Sequence, residues 1–94
     1  MRVTLLVPQV LRASADGVAR LELDLDGEPT LAGALDEVRT RHPALERRLR
    51  DETRALRRYV NFYVDGEECR NLGGAATRLA DGAEIQVIPS VAGG

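Results

Sequence analysis

A chain of 94 residues holds one domain with a single modest hydrophobic core. Its 44% hydrophobic and 30% charged shares are those of an ordinary globular protein, but aromatics make up only 3%, so the core falls to Leu, Val and Ile, and base-stacking modes of nucleic-acid binding have little to work with. The formal charge of −2 argues against a phosphate-backbone partner, and the absence of lysine among the 13 basic residues, all arginine, removes side-chain Schiff-base chemistry.

The apolar run Val3 to Pro8 is too short for a signal or membrane segment. Arg2 to Pro8, rich in β-branched and aliphatic residues, reads as a first strand with Val3, Leu5 and Val7 on one face. Ala13 to Gly17 is turn chemistry within a long, loose connection. Val18 to Asp26 then alternates, Leu21, Leu23 and Leu25 against Glu22, Asp24 and Asp26, the pattern of a half-buried strand. The two runs form an antiparallel hairpin.

Thr30 is a good helix N-cap. Leu31, Leu35 and Val38 follow at helical spacing, with Ala34 beside them. His42-Pro43 interrupts the helix, and Pro43 suits the first turn of a second, short helix carrying Leu45 and Leu49. The stretch from there to Arg58 reads as irregular or frayed helix. Tyr59 to Val64 is β-rich, and Asp65-Gly66 favours a tight primed turn, with Glu67 to Arg70 returning as a short strand. Asn71 to Thr77 is a loop. Asp81-Gly82 turns the chain into a last strand, Glu84 to Pro89, apolar enough at Ile85 and Val87 to lie inside a sheet. Strand, strand, helix, strand, strand, strand in so short a chain describes an α+β domain spanning residues 1–94. It is a mixed sheet of about five strands with a helix across one face, and a flexible tail from 90 to 94. If the first and last strands pair in parallel at its centre, the fold is a ubiquitin-like β-grasp.

Few side chains are placed for catalysis. His42 has no second ligand at metal-binding spacing and reads as a solvated helix-end residue, so no metal site is expected. Cys69, beside Glu67 and Glu68, has its pKa raised by their charge and reads as a small, partly buried residue on an edge strand. A lone cysteine forms no internal disulfide, and a cytoplasmic setting is expected. The Gly73-Gly74 loop lacks the lysine and the strand-loop-helix context of a phosphate-binding loop, so no cofactor is expected to bind this chain. Arg39, Arg41, Arg47, Arg48, Arg50, Arg54, Arg57 and Arg58 form a basic stretch, read here as a solvated face; the alternative is a docking surface for an acidic partner.

There remains the segment Ser90-Val91-Ala92-Gly93-Gly94. An α-carboxylate is ionised at neutral pH and inert as an electrophile unless a partner activates it, for example as an acyl-adenylate. Glycine lets protein walls close around it. Five residues beyond Pro89 reach about 17 Å when extended, enough to enter a deep cleft.

The run "DGAEIQVIPSVAGG" resembles the C-terminal signature of the ubiquitin-like sulfur carriers, the MoaD/ThiS family, and "YVNFYVDGEECR" resembles the third-strand hairpin of that group. The long insert between helix and third strand is similar to that of the CysO-type carriers of cysteine biosynthesis. The resemblance implies a protein co-substrate and not an enzyme. An adenylating enzyme related to the ubiquitin activators would use ATP and magnesium to activate the Gly94 carboxylate. A sulfur donor would replace AMP, and the Gly94 thiocarboxylate would pass its sulfur to a biosynthetic acceptor enzyme, with a metalloprotease releasing the product. Gly93 and Gly94 carry over from the family motif; Ala92 and Val91 match as the segment threaded into the partner. Ser90 stands where molybdopterin carriers have a second proline, which weakens that assignment. Thiamin, thiosugar and protein-modifier uses remain open.

Overall fold

The computed structural model describes residues 1–90; the expectations placed on Val91, Ala92, Gly93 and Gly94 lie outside those residues. Five strands form one mixed sheet: β1 (Arg2–Leu6), β2 (Arg20–Asp24), β3 (Val60–Val64), β4 (Glu67–Glu68) and β5 (Glu84–Pro89). Their order across the sheet is β2-β1-β5-β3-β4. β1 and β5 run parallel at the centre, with Thr4 opposite Glu84 and Leu6 opposite Gln86. The two hairpins flank them, β2 antiparallel to β1 and β3 antiparallel to β5. The arrangement is the expected β-grasp.

The period-two pattern settles which face is covered. Val3 and Leu5, Leu21 and Leu23, Ile85 and Val87, and Val60, Phe62 and Val64 all lie on the buried side. Thr4, Glu22, Glu84, Gln86, Asn61 and Tyr63 share the uncovered side. Helix α1 (Leu31–Arg41) closes the covered face with Leu31, Ala34, Leu35 and Val38, the i, i+3, i+4, i+7 stripe of an amphipathic helix. Thr30 caps it, its hydroxyl accepting from the Gly33 N–H at 3.1 Å. Arg41 fastens its far end to the sheet by donating to the Glu22 carbonyl at 2.6 Å. Pro43 begins α2 (Pro43–Leu49), which adds Leu45 and Leu49 to the core.

Several local expectations change. The first strand ends at Leu6, because Pro8 has no N–H to extend the ladder and instead precedes a 3-10 turn over Gln9–Ala15. The connection is therefore packed and not loose: Ala15 is fully buried, and Asp16 closes the turn in the left-handed region at φ 55°. Asp65 and Gly66 both have positive φ, 49° and 90°, as a type I′ turn requires. The strand after it stops at Glu68; Cys69–Asn71 is a 3-10 turn.

Phe62 is the one aromatic in the core and is 1% exposed at the middle of β3. Replacing it with alanine should cost about 3–5 kcal/mol of unfolding free energy, read from urea denaturation.

Candidate functional site

The candidate site is the place where the chain leaves the sheet. β5 is a central strand, bonded on one side to β1 and on the other to β3, and its last residue, Pro89, lies opposite Val60. One residue further, the Ser90 N–H donates to the Tyr59 carbonyl at 2.6 Å. The root of the tail is thus pinned to the beginning of β3.

That beginning is itself held from two directions. The Arg57 N–H donates to the Leu49 carbonyl at 3.0 Å and the Val60 N–H to the Arg57 carbonyl at 3.1 Å, which ties it to the end of α2. From the other side, Arg70 donates to the Asn61 side-chain carbonyl at 2.7 Å and to Glu68 at 2.6 Å, and its second amino group reaches the carbonyls of Arg58 and Val60 at 3.3 and 3.4 Å. One guanidinium therefore gathers four acceptors around the strand end that carries Tyr59. Arg70 lies in the 3-10 turn Cys69–Asn71 and not on a strand; no local pattern marks it as an anchor, since the acceptors at 58–61 meet it only through the β3–β4 hairpin. Around this root, Tyr59 and Ile88 are exposed apolar residues, 54% and 40% accessible.

The other residues singled out in the sequence behave differently. Cys69 lies in a 3-10 turn, not on an edge strand, and is 1% exposed. Burial pushes its thiol up from the usual range, Glu68 adds to this, and Arg70 offsets it only in part; the thiol is a core side chain. His42 is not solvated: its side chain is 13% exposed, with Nδ1 3.5 Å from Asp16 Oδ2. Among the described residues no group of three His, Cys, Asp or Glu side chains is placed to hold a metal ion, and no helix is long and apolar enough to cross a membrane.

The arginine stretch is not a uniform solvated face. Arg50 is buried at 3% and donates to both Glu46 oxygens at 3.0 and 2.9 Å and to Asp36 at 2.9 Å. Burial, the largest single influence, opposes its charge, but the hydrogen bonds and charges of Glu46 and Asp36 outweigh it and hold the guanidinium above its ordinary value. Arg50 also pairs across an isolated bridge with Leu56, so the segment after α2 is ordered. Asp51 organises the turn between them. Its carboxylate accepts from the Thr53 N–H at 2.8 Å, the Thr53 hydroxyl and the Ala55 N–H at 3.1 Å, and the bonds from Thr53 hold it below the usual carboxylate range.

With the geometry in place, the parallel β1–β5 pair flanked by two antiparallel pairs and covered by α1 defines a ubiquitin-like β-grasp protein. The model of the ThiS family matches residues 5–94, and the chain belongs to that family, the MoaD/ThiS ubiquitin-like sulfur carriers. It is 34% identical over 96 residues to the sulfur carrier protein CysO of Mycobacterium tuberculosis, covering 100% of both chains. It is 35% identical over 82 residues to small archaeal modifier protein 1 of Haloferax volcanii, covering 87% of this chain and 90% of the relative. Among solved structures, a chain of the Amycolatopsis orientalis BexX/CysO complex superposes with a TM-score of 0.82 at 34% identity, covering 98% of this chain and 99% of that one. Members of the family are carriers, and this chain is not an enzyme.

Two expectations follow. Arg70→Ala should lower stability by about 1–2 kcal/mol and speed amide exchange at Val60 and Ser90 far more than in the β1–β2 hairpin. Asp51, with its carboxyl depressed in the folded state, stabilises its turn above its ordinary pKa of about 3.9 and loses that contribution as pH falls below it; the protection factors of Thr53 and Ala55, corrected for the intrinsic exchange rate at each pH, should fall below about pH 4 before those of the β1–β5 amides do.

Proposed function

We propose that Gly94 is the sulfur-carrying residue and that Val91, Ala92 and Gly93 are the segment a partner enzyme threads to reach it. The observation that carries the reading is the pinning of Ser90 to Tyr59 at the end of a central strand, in a chain whose family match runs through residue 94. A rigid root and side-chain-poor final residues suit insertion of an arm into another protein's cleft.

The chemistry belongs to partners. A ubiquitin-activator-like adenylating enzyme, using ATP and magnesium, lets the Gly94 carboxylate oxygen attack the α-phosphate and expels pyrophosphate. A sulfur donor then attacks the acyl carbon and expels AMP, leaving a thiocarboxylate. Its sulfur is the nucleophile passed to a biosynthetic acceptor enzyme in the cytoplasm, and a metalloprotease frees the product from the carrier. This chain contributes the docking surface and the rigid base of the arm. Full-length similarity to CysO supports cysteine biosynthesis as the destination. The BexX/CysO complex, a relative seated on another protein, supports an acceptor enzyme as the partner and keeps sulfur-containing natural products in view.

One observation favours a second reading. Similarity to small archaeal modifier protein 1, which includes a TM-score of 0.85 to its crystal structure, supports a ubiquitin-like modifier whose activated Gly94 ends in an amide bond with target lysines. Both readings begin at the adenylate and part at the acceptor.

Incubated with its activating enzyme, ATP and sulfide, the full chain should gain the mass of one oxygen-to-sulfur exchange, located at Gly94 by fragmentation. A chain lacking Gly93 and Gly94 should stay unchanged; an equal gain in that variant overturns the assignment. Covalent ladders on denaturing immunoblots of the source cells would favour the modifier.

A further inference from the structure

Between α1, α2 and the segment leading to β3 lies a groove of about 300 Å³, lined by five arginines and three carboxylates. The lining inverts the sign of the chain as a whole, which is −2. Its ionic groups are unequally occupied. Arg50 and Glu46 satisfy each other in the floor, and the Asp51 carboxylate is taken up by Thr53 and Ala55. Arg57 donates through Nε to the Arg47 carbonyl at 2.9 Å. Among the described residues, Arg39, Arg47, Arg54 and Arg57 have no carboxylate within ion-pair distance, although Arg57 acts through its charge on Asp51, and Glu52 is the one acidic group of the lining without a hydrogen-bond or ion-pair partner there. The uncommitted charge of the groove is cationic.

The groove is also built in advance. The Arg54 N–H donates to the Asp51 carbonyl at 2.9 Å and the Asp51 N–H to the Ala55 carbonyl at 3.0 Å. This turn holds Arg54 at φ 68°, a left-handed conformation that long side chains adopt rarely. The Arg57 N–H bonds the end of α2, so the other wall is fixed as well. Arg57 lies two residues from Tyr59, the residue that pins Ser90, and so within about 7 Å of it along the chain.

We infer that this groove docks a carboxylate-rich segment of a partner protein, seated beside the root of the tail. Guanidinium forks set around a preformed cleft bind planar carboxylates in pairs. The carboxylates among them disfavour a continuous phosphate backbone, and no aromatic side chain lines the groove to stack a base. The opposite charge of the residues near the hairpin turns, Asp65, Glu67, Asp81 and Glu84, gives the molecule a charge asymmetry that would orient an approaching partner with its acidic side toward the groove. The inference does not depend on the chemistry assigned to Gly94.

The test uses the full-length, isotope-labelled chain and end-capped hexaglutamate as the probe. The side-chain Nε–Hε signals of Arg39, Arg47, Arg54 and Arg57 should shift in a saturable manner, while those of Arg2 and Arg20 on the uncovered sheet face stay in place. Binding should weaken about tenfold as ionic strength rises from roughly 50 to 200 mM. The double variant Arg47→Gln/Arg54→Gln, with its sheet amide spectrum unchanged, should lose binding by about tenfold or more. Equal shifts from inorganic phosphate would make this a small-anion site, and tighter binding of a thymidine decanucleotide would make it a nucleic-acid surface. Shifts spread evenly over all arginines would dissolve the groove as a site. Each of these three results overturns the inference.

Discussion

The parallel pairing of β1 with β5 is the contact on which the rest of the molecule depends. No tight turn can join parallel neighbours, so the chain between them supplies the flanking strands β2, β3 and β4 within the sheet and both helices over one face. The junction is fastened at its entry by the Thr4 N–H to the Ala83 carbonyl at 2.9 Å and the Gly82 N–H to the Arg2 carbonyl at 2.7 Å. β5 has β1 on one side as far as Gln86 and β3 on the other as far as Pro89, so its last residues take their direction from β3.

The root of the tail inherits its rigidity from elements remote in sequence. Ser90 depends on Tyr59, Tyr59 on a strand end held by α2 through Arg57 and Leu49, and the same strand end on the Arg70 guanidinium from the far side of the β3–β4 hairpin. The buried Arg50 network with Glu46 and Asp36 joins α1 to α2 at the same end of the molecule. Burial of a guanidinium is tolerated there because both carboxylates of the set reach it. The helical layer and the strand end are thereby coupled without a single residue equipped for catalysis.

Much of this was legible in the residues. Alternation of Leu21, Leu23 and Leu25 with acidic neighbours, the Thr30 cap, the His42-Pro43 break and the Asp65-Gly66 turn each carry their own local physics, and the structure follows them. The arginine stretch shows where such reading stops. Composition treats its members alike, and the fold separates them into a buried ion-pair partner at Arg50, a helix-to-strand tie at Arg41, and uncompensated groove cations at Arg39, Arg47 and Arg54. His42 is covered from a segment distant along the chain, the turn at Asp16, whereas Cys69 is buried as expected and differs only in lying on a 3-10 turn that ends β4 at Glu68.

What the sequence determined by itself was therefore everything set by nearest neighbours: strand faces, helix caps, turn types and the family signature running into Gly93-Gly94. The tertiary structure decided which strands meet, that Arg70 clamps the start of β3, that one arginine of eight is buried, and that a cationic groove opens beside the residue pinning Ser90. Periodicity and turn chemistry act over a few residues and leave a mark in the order of the letters. Ion pairs and grooves are made by the closure of the β1–β5 pair, which brings together groups that no local pattern records.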